Sequence, residues 1–472
     1  MIEKAKVYSI FLPCYSSKKD GLLVKLQGEL DDVDFVGFDE FPDQDEGSMG
    51  GRKEAYQNIR SMKDKLDGIL IFGGYLDHEL NSFGLPVVMV RSLLGIGDWE
   101  KGILGFYEGE KVLTTSLSDF DNLPQTSTYR LENLTSKIEL ISALKKVKNS
   151  RLLVVQEPEI LGNYDIPGMD FHSSLPKDYN KVYSERLKEM GPEVKNASLI
   201  ELNEEIKKVD ESYAERTADM WIDEAKEVRE TNREEVLKVA RMYGGMKRLM
   251  EKYDADGIAI RSLVPWVRKM INATPCLANT ELNKQNRVGV CEGLVNNAIT
   301  EMFGIYITGN PSFVGDVIGI DRINDTVTFA HCQCPINPHG SDKVPYVIRS
   351  HALQKQNEML PVDYPEIGPN LSAVVQVELP TDEVVTAVKF SLYNKKIGVS
   401  TGLSVSGEEF YRNFEDILCR TKLVMKTNTE AFERNYNTST LGVHRNLIYG
   451  DYRAKIKDLA TLTGFEIVEE DK

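Results

Sequence analysis

Residues 326–335, TVTFAHCQCP, place a histidine and two cysteines at the end of an apolar run. Closed zinc sites separate paired cysteines by about two to four residues, whereas Cys332 directly follows His331 and Cys334 is two positions further on. The spacing therefore argues against a structural zinc site, and no C-x-x-C pair suggests a disulfide oxidoreductase. We expect both thiols to be reduced packing residues. His331 is the member of this stretch that is a candidate for chemistry.

Two acidic residues stand at positions where a carboxylate needs an explanation. Glu292 follows the apolar strand RVGVC where a helix begins, which is the edge at which open α/β sheets place ligands. The alternative is a carboxylate favoured by the dipole of that helix. Asp316 lies between glycine and valine in a predicted strand, where a buried charge needs a partner. The alternative for Asp316 is a surface-facing position.

Two histidines could join these carboxylates. The ND pair at 324–325 predicts a hairpin turn, so His331 would approach Asp316 across the hairpin, although a lone core histidine is the commoner case. His444 follows the small and hydroxyl residues TSTLG, which favours a loop closing over a polar site; a solvent-exposed loop histidine is the default. Two carboxylates with one or two imidazoles suit Mn²⁺ or another divalent cation and leave positions for a substrate's vicinal oxygens.

Other catalytic signatures have little support. The α/β part of the sequence has no phosphate-binding glycine signature, which argues against a nucleotide site at the first strand–helix turn. GVSTG at 398–402 matches G-x-S-x-G, but no helical pattern follows it, as a nucleophile elbow requires. We expect a turn between strands there.

Bulk composition narrows the class of protein. The 472 residues exceed the roughly 250 to 300 at which one core stops growing, so two or three domains are expected. The 41% of hydrophobic and 28% of charged residues are typical of a soluble globular protein. The net charge of -16 argues against nucleic-acid or anionic-membrane partners. Sparse cysteines, no secretory signal and no apolar run of about 18 residues indicate a cytoplasmic protein without a membrane span.

The pattern of apolar runs predicts an α/β protein with three domains. Residues 1–149 alternate short apolar runs with helical patterns, which predicts a flavodoxin-like or Rossmann-like parallel sheet. Residues 150–308 begin a second α/β domain, in which residues 202–252 form one long, highly charged helical region with a solvated face. Residues 309–472 are mainly antiparallel β, and their last forty residues are expected to close one end of a β-barrel.

Several motifs occur together in an order that resembles a known superfamily of sugar isomerases. They are CEG, GNPSFVGD, AHC, CRT at 419–421 and GVHRNLIYGD. Their order is similar to that of the L-fucose isomerase and L-arabinose isomerase superfamily, particularly its shorter fucose-isomerase-like branch. The similarity spans roughly residues 274–460, while the first 270 residues match only in architecture. HRN stands where relatives often have paired histidines.

The resemblance implies a metal-dependent aldose–ketose isomerase that acts on an open-chain sugar through an ene-diolate. Glu292 and Asp316 would be metal ligands and acid/base groups, His444 a ligand, and His331 a fourth ligand or a group just outside the ligand set. It also implies two Rossmann-like N-terminal domains, a C-terminal β-barrel-containing domain, and a homo-oligomer with active sites near subunit interfaces.

The sugar itself is left open by the sequence. Polar residues that could bind its hydroxyl groups are Asn310, Gln376, Arg420 and Thr421. A C6-modified sugar, such as a sulfonated one, is a possible substrate. A metal-dependent lyase or epimerase would use the same residues, and a non-catalytic sugar-binding protein is the remaining alternative.

Overall fold

The computed structural model describes residues 3–11, 19–40, 48–72, 78–91, 111–116, 124–156, 178–261, 270–351, 372–407 and 419–472. Its strands are β1 (Ala5–Phe11), β2 (Val33–Glu40), β3 (Gly68–Phe72), β4 (Val87–Arg91), β5 (Val112–Ser116), β6 (Arg151–Gln156), β7 (Glu193–Ser198), β8 (Glu227–Arg229), β9 (Gly257–Ile260), β10 (Val288–Cys291), β11 (Phe313–Asp321), β12 (Thr326–His331), β13 (Tyr346–Arg349), β14 (Val374–Val377), β15 (Val384–Ser391), β16 (Lys396–Val405), β17 (Thr421–Lys426), β18 (His444–Tyr449) and β19 (Glu466–Glu469).

The helices alternate with the parallel strands in the first two-thirds of the chain and are short and few among the later strands. They are α1 (Lys19–Glu29), α2 (Ser48–Met62), α3 (His78–Ser82), α4 (Pro124–Asn149), α5 (Tyr179–Met190), α6 (Leu199–Ile206), α7 (Glu211–Glu224), α8 (Arg233–Tyr253), α9 (Cys276–Lys284), α10 (Val295–Thr308), α11 (Thr429–Asn435), α12 (Thr438–Leu441) and α13 (Arg453–Thr463). None of the helices in the described ranges combines the length with the apolar composition that a membrane span requires.

One compact unit comprises residues 1–146 and 454–466. Its parallel sheet has the strand order β2-β1-β3-β4-β5, which is the order of flavodoxin-like doubly wound folds. β1 and β3 are buried along nearly their whole length, because parallel strands of this kind are covered on both faces. The predicted parallel α/β sheet near the N-terminus is confirmed. Cys14 lies outside the described residues.

The second compact unit comprises residues 147–453 and 467–472, and it contains a second parallel sheet. The strand order is β10-β9-β6-β7. β6 starts at Arg151, close to the predicted start of a new α/β segment. β10 and α10 follow the predicted pattern of strand, turn and buried helix. The carboxyl end of β10 therefore opens onto the turn that carries Glu292.

The charged stretch 202–252 is helical over most of its length, as predicted, but it is divided among three helices. It contains α7, the short strand β8 and α8, and it starts inside α6. Capping explains the breaks, since Asp210 accepts a hydrogen bond from the backbone of Tyr213 at 3.0 Å and Asn232 accepts one from Glu235 at 3.1 Å. Such side chains begin new helices by satisfying free N–H groups.

The later strands form a closed antiparallel ring. β15, β18, β11, β12, β17 and β16 pair in that order, and β16 also pairs with β15. Closure removes the edges that an open six-stranded sheet would expose, and β19 pairs with β16 as a seventh strand. The predicted hairpin is confirmed as β11 and β12, and its turn is stabilised by the Asp321 carboxylate, which accepts from Ile323 N at 2.8 Å and Asn324 N at 3.2 Å.

GVSTG lies inside β16, so the prediction of a turn there is wrong. The segment pairs with β15 along its length. A side chain at Gly402 would run into the backbone carbonyl of Lys426, which explains a glycine at a position where two strands approach closely.

Helix α10 packs on the ring of strands and thereby fixes the turn that precedes it. Phe303 stacks on Phe390 of β15 with ring centroids 5.0 Å apart. Asn297 donates to Asn446 of β18 at 2.8 Å, and Asn446 donates to Ser312 at 2.8 Å. These buried contacts hold the first turn of α10 against β18, where His444 also lies.

Candidate active site

Three of the sequence-predicted residues meet at one point. Potential ligand atoms of Glu292, His331 and His444 all lie within 4.8 Å of one another. Asp316 adjoins them, because its Oδ1 is 2.8 Å from His444 Nε2. The structure thus gathers two carboxylates and two imidazoles that are far apart along the chain.

Glu292 is positioned by an unusual turn after β10. Its φ of 61° lies in the left-handed region, which side chains other than glycine rarely adopt. Gly293 follows with a φ of 65°, and its N–H donates to the carbonyl of Ile260 in β9 at 2.9 Å. The Glu292 side chain remains 39% exposed, so its carboxylate can meet a ligand from solvent.

Asp316 and His444 are direct register partners on the antiparallel strands β11 and β18. Directly opposed residues point to the same face of a sheet. The expected loop around His444 is wrong: TSTL forms the short helix α12, Gly442 turns the chain at a φ of 70°, and His444 starts β18 as a buried residue. Strand pairing therefore holds the imidazole, whose side chain is 4% exposed.

His331 ends β12, and its ring is oriented by the backbone that follows it. The N–H of Gln333 donates to His331 Nδ1 at 3.4 Å. A nitrogen that accepts a hydrogen bond carries no proton, so in the neutral ring the proton belongs on Nε2. Nε2 faces Glu292 Oε1 at 3.8 Å. This tautomer makes His331 a hydrogen-bond donor toward the cluster.

The cluster favours positive charge. Burial raises the pKa of the Asp316 carboxyl, but the nearby imidazoles of His444 and His331 outweigh burial and leave the pKa below its usual value. Burial opposes protonation of His331, but the carboxylates of Glu292 and Asp316 outweigh it and raise the pKa of His331 to about 10. The backbone N–H of Gln333 donates to Nδ1 of His331 and therefore opposes a second proton on that ring. A divalent cation would meet the same electrostatic demand.

The spacing of the donor atoms fits a shared cation. Neighbouring ligand atoms around an ion bound at about 2.1 Å are about 3 Å apart. His444 Nε2 lies 2.8 Å from Asp316 Oδ1 and 3.5 Å from Glu292 Oε2. Among the described residues, neither His444 Nε2 nor His331 Nε2 has a hydrogen-bond partner although both are buried. Glu292, Asp316, His331 and His444 are therefore the residues that could hold an ion.

Asn310 lies away from this cluster. It follows α10 and precedes β11, and its backbone N–H donates to the hydroxyl of Thr308 at 3.0 Å. Its side chain faces Gly340. Asn310 precedes β11, and a strand rises about 3.3 Å per residue. The part of β11 before Asp316 therefore separates the two residues.

Gln376 and Arg420 belong to a second polar cluster, built around Arg349 and Glu230. Arg349 donates to Gln376 Oε1 at 2.9 Å and to Glu230 Oε1 at 2.7 Å. Arg420 donates to Glu230 Oε2 at 3.1 Å and to the Ser350 carbonyl at 2.9 Å. Both arginines are buried. This cluster adjoins the site through β17, whose first residue follows Arg420.

Thr421 is the register partner of His331, but its hydroxyl serves the backbone. It donates to the carbonyl of Val375 at 3.0 Å and accepts from the N–H of Val377 at 3.1 Å. The hydroxyl thus joins β14 to β17 beside the site. The thiols of Cys332 and Cys334 are free and buried, as predicted.

The sequence reasoning missed Arg445 and Glu470. Arg445 stands in HRNLIY, a strand buried at every position. An arginine inside an apolar β run needs a buried partner, which was a usable signal. Glu470 gave no such signal, because its surroundings in the sequence are acidic and polar.

Comparisons with known proteins give one weak relationship. No family model matches the chain. The chain is 24% identical over 227 residues to a protein named sulfoquinovose isomerase from Clostridium sp. (strain MSTE9). The match covers 46% of this chain and 46% of that protein, so the chain spans about half the length of this curated relative. The chain is therefore similar over about half its length to an enzyme named as a sugar isomerase.

Proposed function

We propose that the protein is a divalent-cation-dependent sugar isomerase that interconverts an open-chain aldose and its ketose through an ene-diolate. The observation that carries the proposal is the meeting of Glu292, Asp316, His331 and His444 at one point. The similarity to a protein named sulfoquinovose isomerase supports a sugar isomerase independently of this geometry.

Glu292, Asp316 and His444 would hold the cation, as the close spacing of their donor atoms suggests. When bound, a divalent cation supplies charge stabilisation for two neighbouring substrate oxygens. Two carboxylates and one imidazole leave coordination positions open for those oxygens. The partial exposure of the Glu292 side chain supports an open side that faces solvent.

The two carboxylates divide the proton transfers. Aldose–ketose interconversion needs a base that removes a proton from one of the two carbons C1 and C2 and an acid that returns it to the other. Among the described residues, Glu292 and Asp316 are the carboxylates of this cluster. Their environments differ, since Asp316 is paired with His444 while Glu292 is more exposed. Different environments allow two carboxylates to take different roles.

His331 donates rather than binds the cation in this proposal. The Gln333 amide occupies Nδ1, which leaves the N–H at Nε2 directed into the cluster. That buried N–H has no hydrogen-bond partner among the described residues. A substrate oxygen beside Glu292 would accept from it and be stabilised as negative charge develops.

The proposed substrate class is an open-chain aldose, and the sugar named by the relative, sulfoquinovose, is the first one to test. The experiment incubates the protein with Mn²⁺ and aldoses in D₂O and follows the products by NMR. An isomerase yields ketose with deuterium at C1, and the reverse reaction puts deuterium at C2 of the recovered aldose. Sugar fragments would instead show a lyase, and unchanged sugars would show a binding protein. Glu292→Gln should abolish turnover while circular dichroism stays unchanged.

A further inference from the structure

A fully buried ion pair lies directly beside His444. Arg445 Nε donates to Glu470 Oε2 at 2.8 Å, and Arg445 Nη2 donates to Glu470 Oε1 at 2.7 Å. Both side chains are 0% exposed. Buried ion pairs add little net stability compared with well-packed apolar residues, and the best-attested reason for them is to fix one arrangement of the chain.

The third nitrogen of the guanidinium holds the backbone that leads into His444. Arg445 Nη1 donates to the carbonyl of Gly442 at 2.8 Å and to the carbonyl of His444 at 2.9 Å. The residue between them is tied to β11, because Val443 O accepts from Val317 N at 3.1 Å. One side chain thus braces both ends of the turn from Gly442 to His444.

Two residues, Tyr436 and Glu470, fix the position of the Arg445 guanidinium. Tyr436 lies against the guanidinium, which is 5.2 Å from the ring centroid. The backbone N–H of Glu470 donates to Val399 O of β16 at 2.9 Å. A side chain at Gly398 would come within 3.2 Å of Glu470 Oε2, so the glycine leaves room for the carboxylate. The pair is therefore fixed relative to the ring of strands.

Successive residues in a strand point to opposite faces. His444 faces Asp316, so Arg445 acts from the far face of β18 and does not reach the reacting groups. A site for a metal or substrate needs its ligands held to within about 0.5 Å by supporting contacts. The contacts of Arg445 with two carbonyls around His444 are of that supporting kind.

We propose that the Arg445–Glu470 pair is a positioning device that sets His444 against Asp316 and Glu292 and thereby sets the affinity of the site for a divalent cation. The inference rests on the proposed function for the identity of that ligand. Arg445 and Glu470 are positioning residues. They contact neither the proposed ligand atoms nor the face of β18 on which His444 lies.

The test measures Mn²⁺ binding by isothermal titration calorimetry on the full chain. Glu470→Gln removes the charge and keeps the shape, and we expect Mn²⁺ affinity to fall by about tenfold or more. The matched control is Asp471→Asn, which weakens the neighbouring contact of Asp471 Oδ1 with Arg453 at 2.8 Å and should leave Mn²⁺ affinity unchanged. Urea unfolding of both variants reports their stability separately.

A second variant covers the case in which Glu470→Gln does not fold. The double change Arg445→Met and Glu470→Leu removes both charges together and fills the space with apolar atoms, which buried pairs often tolerate. A folded double variant with weakened Mn²⁺ binding supports the inference. Wild-type Mn²⁺ affinity in a folded variant overturns it. A wild-type protein that binds no Mn²⁺ overturns the proposed function and this inference together.

Discussion

Asp316 Oδ1 and His444 Nε2 lie 2.8 Å apart on directly paired residues of β11 and β18. The two strands belong to a closed ring, so neither side chain depends on a loop for its position. Sites built on strands hold their groups more accurately than sites built on loops. This pair is the fixed part of the site, and Glu292 approaches it from the turn after β10.

His444→Gln tests the fixed part directly. We expect Mn²⁺ affinity to fall by more than about 100-fold, because a neutral amide replaces the only imidazole assigned as a ligand. Calorimetric titration with Mn²⁺ measures the change. Asp316→Asn should behave in the same way, and a near-normal affinity in either variant would contradict the assigned ligand set.

His331→Gln should separate binding from turnover. Because His331 is assigned as a donor and not a ligand, Mn²⁺ affinity should stay within about threefold of the wild type. The kcat should fall by about 100-fold or more, the usual loss when a hydrogen-bond donor that stabilises developing negative charge is removed. Parallel titration and steady-state kinetics measure both quantities. A large loss of Mn²⁺ affinity would show that His331 is a ligand after all.

Glu301→Gln should change how stability depends on pH. Burial raises the pKa of the Glu301 carboxyl well above its ordinary value of 4.5, so the folded protein keeps a proton that the unfolded chain loses. Unfolding then releases a proton above about pH 4.5, and stability falls as pH rises toward the folded pKa. Glutamine removes this slope. Urea unfolding from pH 5 to 8 should show the variant gaining relative to the wild type by up to about 1.4 kcal/mol per pH unit.

Glu205→Gln provides a control of opposite sign. Its hydrogen bonds and ion pairs with Lys208 and Arg248 lower the pKa of Glu205 against the effect of burial. That carboxylate contributes stability above its unfolded pKa and loses the contribution as pH falls. The deficit of this variant should therefore shrink toward acidic pH. Urea unfolding below about pH 4.5, where this carboxylate becomes protonated, measures the change, and a deficit that grows as pH falls there would contradict the assignment.

Cys334→Ala tests whether the HCQC thiols are packing residues. Cys334 is 0% exposed within the main apolar core, and removing its sulfur should cost about 1 kcal/mol through lost contacts and a small cavity. Mn²⁺ affinity and kcat should be unchanged. Thermal denaturation with and without Mn²⁺ measures the two effects, and a loss of Mn²⁺ binding would point to a thiol ligand.

Much of the local structure followed from the sequence. The continuous apolar runs of β1, β3 and β6 predicted parallel strands, and period-two texture around the ND pair predicted the hairpin of β11 and β12. Glu292 could be placed at a strand end, and Asp316 and His331 could be placed across a hairpin. These inferences concern residues whose relation is set within one supersecondary unit.

The predictions that were wrong, and the contacts that could not be predicted, depend on residues that are distant in the sequence. The small residues before His444 suggested a loop, but pairing of β18 with β11 and β15 placed His444 in a strand. Pairing with β15 makes GVSTG part of strand β16. The partnership of Arg445 with Glu470 joins segments whose meeting no local pattern encodes. Strand pairing is a property of tertiary context more than of local preference.

The backbone at Glu292 has one further consequence. A non-glycine residue held at a φ of 61° lowers the stability of the native state by about 1 to 3 kcal/mol. Glycine would relax that turn, but it would remove the more exposed of the two carboxylates of the candidate site. The turn therefore holds a carboxylate at a cost in stability, which is what the proposed function of Glu292 would require.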